Sequence, residues 1–270
     1  METLKYYNSV AELSATLDGD IINANSQNGR GISFRNARQL KEFAGVNSIA
    51  EARKLLSFGD ANAAAKIRAE GEIIKPQEEH KPVLRTSVVG CLPNVPNYLR
   101  GVPCQMYQIK SNSRKKPIIN IYVECTIYDA INETKLARKC AVLANTIAAV
   151  ELTGYRVNLF AVCACTNLKT NTAGICVNIK EADAPLNLLN IAFPLTNKAF
   201  CRAIFLRWVD VNVAQSMRHG FSNYGCVVNS SLVKSLFNAD GLFLSMVDMV
   251  HQDTTQEKLE KVINKYISEN

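Results

Sequence analysis

The run "IINIYVECTI", residues 118–127, constrains this chain more than any other stretch. It is β-branched and apolar nearly throughout, without the polar alternation of a strand that shows one face to water. Such a strand must be covered on both sides. The following residues supply the cover. "ETKLARKCAVLANTIAAVELTG" (133–154) places Leu136, Cys140, Leu143, Ala144 and Ile147 on one helical face, with Asn132 as N-cap and Gly154 at its end. "YRVNLFAVCAC" and "GICVNIKE" read as two more strands, joined by a short polar segment that predicts an antiparallel pair. "APLNLLNIAF" and "NKAFCRAIFLRWVDV" read as two helices interrupted at Pro194. "DGLFLSMVDMV" is a late strand. A closing helix, "TTQEKLEKVINKYISE", opens on the capping box of Thr254 and Glu257. This order predicts a mixed, mostly parallel α/β sheet flanked by helices.

Residues 1–80 read as a helical extension. The capping pair Ser48 and Glu51 starts one helix, Gly59 ends it, and Asp60 starts the next. Residues 81–117 form a proline-rich, basic connector, and residues 118–270 form the α/β core. With 47% hydrophobic and 20% charged residues the chain can bury a sizeable core, which argues against global disorder. No apolar run reaches the roughly 18 residues of a membrane span, and the opening residues lack the pattern of a secretory signal. A cytoplasmic location is expected. The nine cysteines are dispersed without a CxxC pair, and His80, His219 and His251 are isolated, so reduced thiols are expected rather than disulfides or zinc.

Phosphate-binding and nucleophile-elbow motifs are missing, so an enzymatic role finds no support in the sequence. Three candidate sites remain. The net charge of +7 is concentrated in residues 61–117, which hold ten basic and four acidic side chains. Arg100, Lys110, Arg114, Lys115 and Lys116 are therefore candidates for binding nucleic acid or an acidic partner. The stretch "SVVGCLPNVPNYLRGVPCQM" (87–106) is a candidate interaction loop carried by Asn94, Tyr98 and Gly101. Its prolines restrict it to extended and turn conformations, and Tyr98 and Leu99 are expected to anchor it against the core. After the first core strand, Glu124, Thr126 and Asp129 could present oxygens to a hard cation such as Mg²⁺. No resident cofactor is otherwise expected.

The segment around Asn94, Val95, Pro96, Tyr98, Leu99, Gly101, Pro103 and Met106 resembles the "DVPxYLxGxPxxM" stretch of an uncharacterised domain family found largely in bacteriophage and prophage genes. The order of elements from residue 118 is similar to a von Willebrand factor A-like domain. That resemblance implies a divalent-ion motif, D-x-S-x-S, aligned with Glu124, Thr126 and Tyr128. Here Tyr128 replaces a small hydroxyl and Glu124 is a methylene too long, so a degenerate scaffold is implied. The expected role is non-enzymatic protein–protein interaction or self-association, with nucleic-acid association as the alternative and no membrane partner.

Overall fold

A computed structural model describes residues 2–17, 37–71, 83–110, 117–126, 133–166, 172–213, 230–238, 240–245, 248, 257, 261 and 265. The run that opens the core forms strand β5 (Ile118–Glu124) of a five-stranded sheet. Numbered along the chain, the sheet also contains β1 (Glu2–Tyr7), β6 (Arg156–Thr166), β7 (Thr172–Lys180) and β8 (Leu242–Leu244), in the order β1-β7-β6-β5-β8. β6 and β7 are antiparallel; the other neighbours are parallel.

The central strands are covered on both faces, as their composition requires. On one side Val157, Leu159, Ala161 and Cys163 of β6 join a large cluster with the helices. These are α1 (Val10–Ala15), α2 (Ala37–Ala44), α3 (Ile49–Phe58), α4 (Ala61–Ala69), α6 (Glu133–Leu152), α7 (Leu188–Thr196) and α8 (Leu206–Asn212). On the other side Val162 and Ala164 pack with Tyr122, Phe243, Phe237 and Val233, the last from α9 (Ser230–Leu236). Alternation along one strand thus feeds two cores. Among the described residues no helix is long and apolar enough to cross a membrane.

The N-terminal segment belongs to this architecture. Glu2–Tyr7 is an edge strand of the sheet rather than part of a helical extension, paired in register from Glu2 with Thr172 to Tyr7 with Val177. Its polar Glu2, Thr3 and Lys5 hide the strand signal, because an edge strand needs to bury only some of its side chains. Tyr7 is buried while Tyr6 is half exposed. The buried Tyr7 hydroxyl accepts the Trp208 indole N–H at 2.6 Å, joining β1 to α8. The helices start as their caps dictate: Ser48 accepts from the Glu51 amide, and Asp60 from the Ala63 amide. Gly59 has φ +83°, and a Cβ there would lie 2.6 Å from the Leu189 carbonyl oxygen. Only glycine allows α3 and α7 this close approach.

The helix break lies elsewhere than the proline suggests. α7 continues through Pro194 to Thr196 and stops at Asn197, whose backbone is extended. Pro194 deprives the carbonyl of Asn190, an exposed residue, of its helical donor. Asn197 stabilises the break by accepting from the Ala199 amide at 2.9 Å and donating to Asp60 at 3.0 Å. A π-helical turn, Phe200–Phe205, then leads into α8. Of the expected closing helix, Glu257, Lys261 and Lys265 are described, helical and exposed; the N-cap Asn132 lies outside the described residues.

Tyr7→Phe leaves the Trp208 N–H buried without its acceptor. The expected cost is about 1–3 kcal/mol, read as a lower urea midpoint with an unchanged slope.

Candidate interaction site

Residues 81–117 do more than connect. They contain a second sheet of three antiparallel strands, β2 (Val83–Ser87), β3 (Leu92–Pro93) and β4 (Met106–Lys110), in the order β2-β4-β3. Between β3 and β4 lies a one-turn helix, α5 (Val95–Leu99). The proline spacing hides these strands from a periodicity reading. Its physical sense is plain in the lobe: Pro93 sits on the two-residue edge strand and Pro96 in the first turn of α5, where neither needs an amide donor.

Asn94 holds the loop shut. It is 4% exposed; its amide donates to the Gln105 carbonyl at 2.7 Å, and its side chain caps α5 by accepting from the Asn97 amide at 3.2 Å. Asn97 in turn donates through Nδ2 to the Cys104 carbonyl at 3.0 Å, while the Val102 amide donates back to the Asn97 carbonyl at 3.0 Å. Gly101 turns the chain with φ +66°. At Gly90 an added Cβ would collide with the Tyr107 carbonyl, so glycine lets the chain lie flat on β4. Of the three residues expected in an interaction loop, Asn94 is therefore a fastener, Gly101 a hinge point and Tyr98 the exposed one.

The expected anchoring of the loop by Tyr98 and Leu99 is overturned. They are 66% and 78% exposed, because Asn94 and the backbone bonds already fix the turn. Val88, Val89, Leu92, Val95 and Val102 are also exposed, so seven large apolar side chains within residues 88–102 face outward. Beside them is a groove of about 470 Å³ lined by Val88, Pro93, Val95, Tyr98, Gln105 and Met106. Val88, Val95 and Tyr98 of the seven border that groove, and exposed apolar side chains gathered at one site are the kind of surface that marks interaction, whereas scattered ones are not. The sequence signal was an apolar run with no strand or helix period, which shows that these residues cluster but not which way they face.

Of the basic candidates, Arg100 is exposed at the C-terminus of α5 and Lys110 ends β4. Arg114, Lys115 and Lys116 lie outside the described residues. So does Asp129 of the cation set. Glu124 and Thr126 are buried at 1% and 2% exposure at the carboxyl end of β5. The neighbouring β8 end adds buried Asp248, which accepts from the Ser245 amide and hydroxyl at 2.9 and 2.6 Å. Among the described residues, no group of three or more His, Cys, Asp or Glu is placed to hold a metal ion.

Five of the buried cysteines are poorly suited to act as nucleophiles. Burial pushes the Cys140, Cys165 and Cys176 thiols up to about 12, and raises Cys125 and Cys163 well above the ordinary range. They stay protonated at neutral pH, and a thiol without its thiolate is a poor nucleophile. Lys139 is a different case. Its Nζ is buried on α6 without a hydrogen-bond partner among the described residues, and desolvation, with Lys135 nearby, lowers its pKa to about 8.

The chain is thus a mixed α/β protein carrying a small β lobe with several exposed apolar side chains beside a groove. A family described as Domain of unknown function (DUF7192) matches residues 2–267, nearly the whole chain, and the protein belongs to that family. No curated protein matches it. No solved structure matches it either.

Two outcomes follow from these local interactions. Asn94→Ala removes the cap of α5 and costs about 1 kcal/mol, seen as faster amide exchange across residues 94–105. For Lys139, a folded pKa below the unfolded one means the burial penalty acts fully below pH 8 and fades as pH rises from about 8 toward 10.5. Lys139→Met should therefore raise the melting temperature at pH 7, by an amount that shrinks over that window.

Proposed function

We propose that this protein is a non-enzymatic interaction module that docks a protein partner on the outer face of the lobe spanning residues 83–110. The observation that carries this reading is the outward cluster of Val88, Val89, Leu92, Val95, Tyr98, Leu99 and Val102 on a loop held shut by its own hydrogen bonds. Exposed apolar side chains cost solubility, and a fixed scaffold beneath them lowers the entropy lost when a partner binds. The α/β core supports the lobe as a von Willebrand A-like scaffold working without a bound cofactor. The strand order, with one antiparallel strand beside the β5–β6 pair, is consistent with that part of the reading. The resemblance of residues 87–106 to a phage and prophage family favours a role in assembling a virion or replication complex in the host cytoplasm.

A photo-crosslinking amino acid at position 98, in cells that natively produce the protein, tests the reading. One discrete adduct is expected from position 98 and none from the exposed position 54 on α3. Leu99→Ser with Val95→Ser should remove the adduct while leaving the unfolding midpoint unchanged, since both side chains are exposed. Equal crosslinking from both positions overturns the reading. A sizing-column peak with salt-sensitive nucleic-acid absorbance, lost when Arg114, Lys115 and Lys116 are neutralised, would install the nucleic-acid alternative instead.

A further inference from the structure

The occupant of the groove can be narrowed by charge and shape, taking the docking reading above as its basis. Residues 81–117 contain Lys81, Arg85, Arg100, Lys110, Arg114, Lys115 and Lys116, and no aspartate or glutamate. The lobe that bears the apolar face is thus purely cationic in sequence. Arg100 stands exposed immediately after Tyr98 and Leu99. Residues 93 and 106 pair across the small sheet and both line the groove, and Arg100 follows directly on the helix that supplies Val95 and Tyr98 to it. A partner segment lying in the groove therefore passes close to Arg100, with no acidic residue in 81–117 to compensate that charge.

Each of the alternative occupants meets a physical objection. A second copy would bring two all-basic lobes face to face, and like charges juxtaposed across an interface are costly. A nucleic acid would want aromatic platforms for its bases, whereas the groove lining contains one aromatic residue, Tyr98, among aliphatic side chains, Gln105 and Met106. A lipid surface takes protruding side chains, while the groove is a concavity of about 470 Å³, within the roughly 300–1,000 Å³ of pockets that enclose small ligands. That is room for the apolar anchors of a short peptide.

We infer that the groove between α5 and β4 binds an acidic peptide segment, its apolar side chains entering among Val88, Val95, Tyr98 and Met106 and its carboxylates facing Arg100. Apolar burial would hold the segment; the cations would select against basic or neutral competitors and speed encounter.

Selection from a random dodecapeptide library on the whole protein, counter-selected on Tyr98→Ser/Leu99→Ser, tests this. The double variant must share the wild-type unfolding midpoint, which the exposure of both residues leads one to expect. Peptides combining Asp or Glu with Leu, Ile, Val or Phe should be enriched. A synthetic copy of the leading sequence should bind about tenfold or more weakly to Arg100→Glu, and more weakly as salt is raised. Enrichment with no acidic bias overturns the charge assignment and leaves the docking reading standing. No enrichment over the counter-selected variant overturns both. Co-sedimentation with phosphatidylserine vesicles that the double variant loses would assign the face to lipid. Retention of a single-stranded oligonucleotide lost in the same variant would assign it to nucleic acid. Either result overturns the inference.

Discussion

Strands β5, β6 and β7 are buried on both faces, and the remaining elements are arranged to meet that demand. A strand without a polar face cannot end a structure; it needs helices above and below. The helical layer of α1–α4 and α6–α8 answers on one side, and α9 with Phe237 answers on the other. The edge strands mark where the demand stops: β1 carries charged residues in its alternation, and β8 is only three residues long. Short or partly charged edges are how open sheets avoid pairing with one another.

The same core holds a few polar groups whose partners make them tolerable. Lys180 lies at the end of β7, 5% exposed, and donates to Glu151 at 2.5 Å and to the Val157 carbonyl at 3.0 Å. It ties the last turn of α6 to the sheet, its ammonium also donating to the Glu181 carbonyl at 3.1 Å, and removing one partner of such a buried pair is strongly destabilising. Asp60 serves the helical layer in a similar way, capping α4 while bonding Asn197 across to the next helix pair. Lys139 has no such partner among the described residues, and its burial, with Lys135 nearby, lowers its pKa.

The small lobe obeys a different logic. Its sheet is held by backbone bonds and by the side chains of Asn94 and Asn97, so its apolar residues are not consumed in folding it. Val88, Val89, Leu92, Val95, Tyr98, Leu99 and Val102 remain exposed, with Arg100 exposed next to Leu99 and no acidic residue within 81–117. A scaffold that spends polar bonds on shape and keeps apolar surface free is suited to recognition, which is why the functional reading rests on this lobe and not on the sheet ends.

Much of the core could be read in the chain. The unbroken apolar run at 118–124, the helical stripe from Leu136 to Ile147 and the short polar link before β7 each act locally, so sequence determined the α/β class, the antiparallel β6–β7 pair and the caps at Ser48 and Asp60. Other features depended on partners distant in the chain. Glu2–Tyr7 is a strand because β7 offers it an edge, and α7 passes Pro194 because Asn197 and Asp60 set its end. Tyr98 and Leu99 are apolar by sequence, yet their exposure follows from Asn94 and Gln105 closing the loop beneath them. Composition and spacing decided which segments must be buried and in what conformation. Which apolar residues were left for a partner was decided only when long-range hydrogen bonds had satisfied the loop without them.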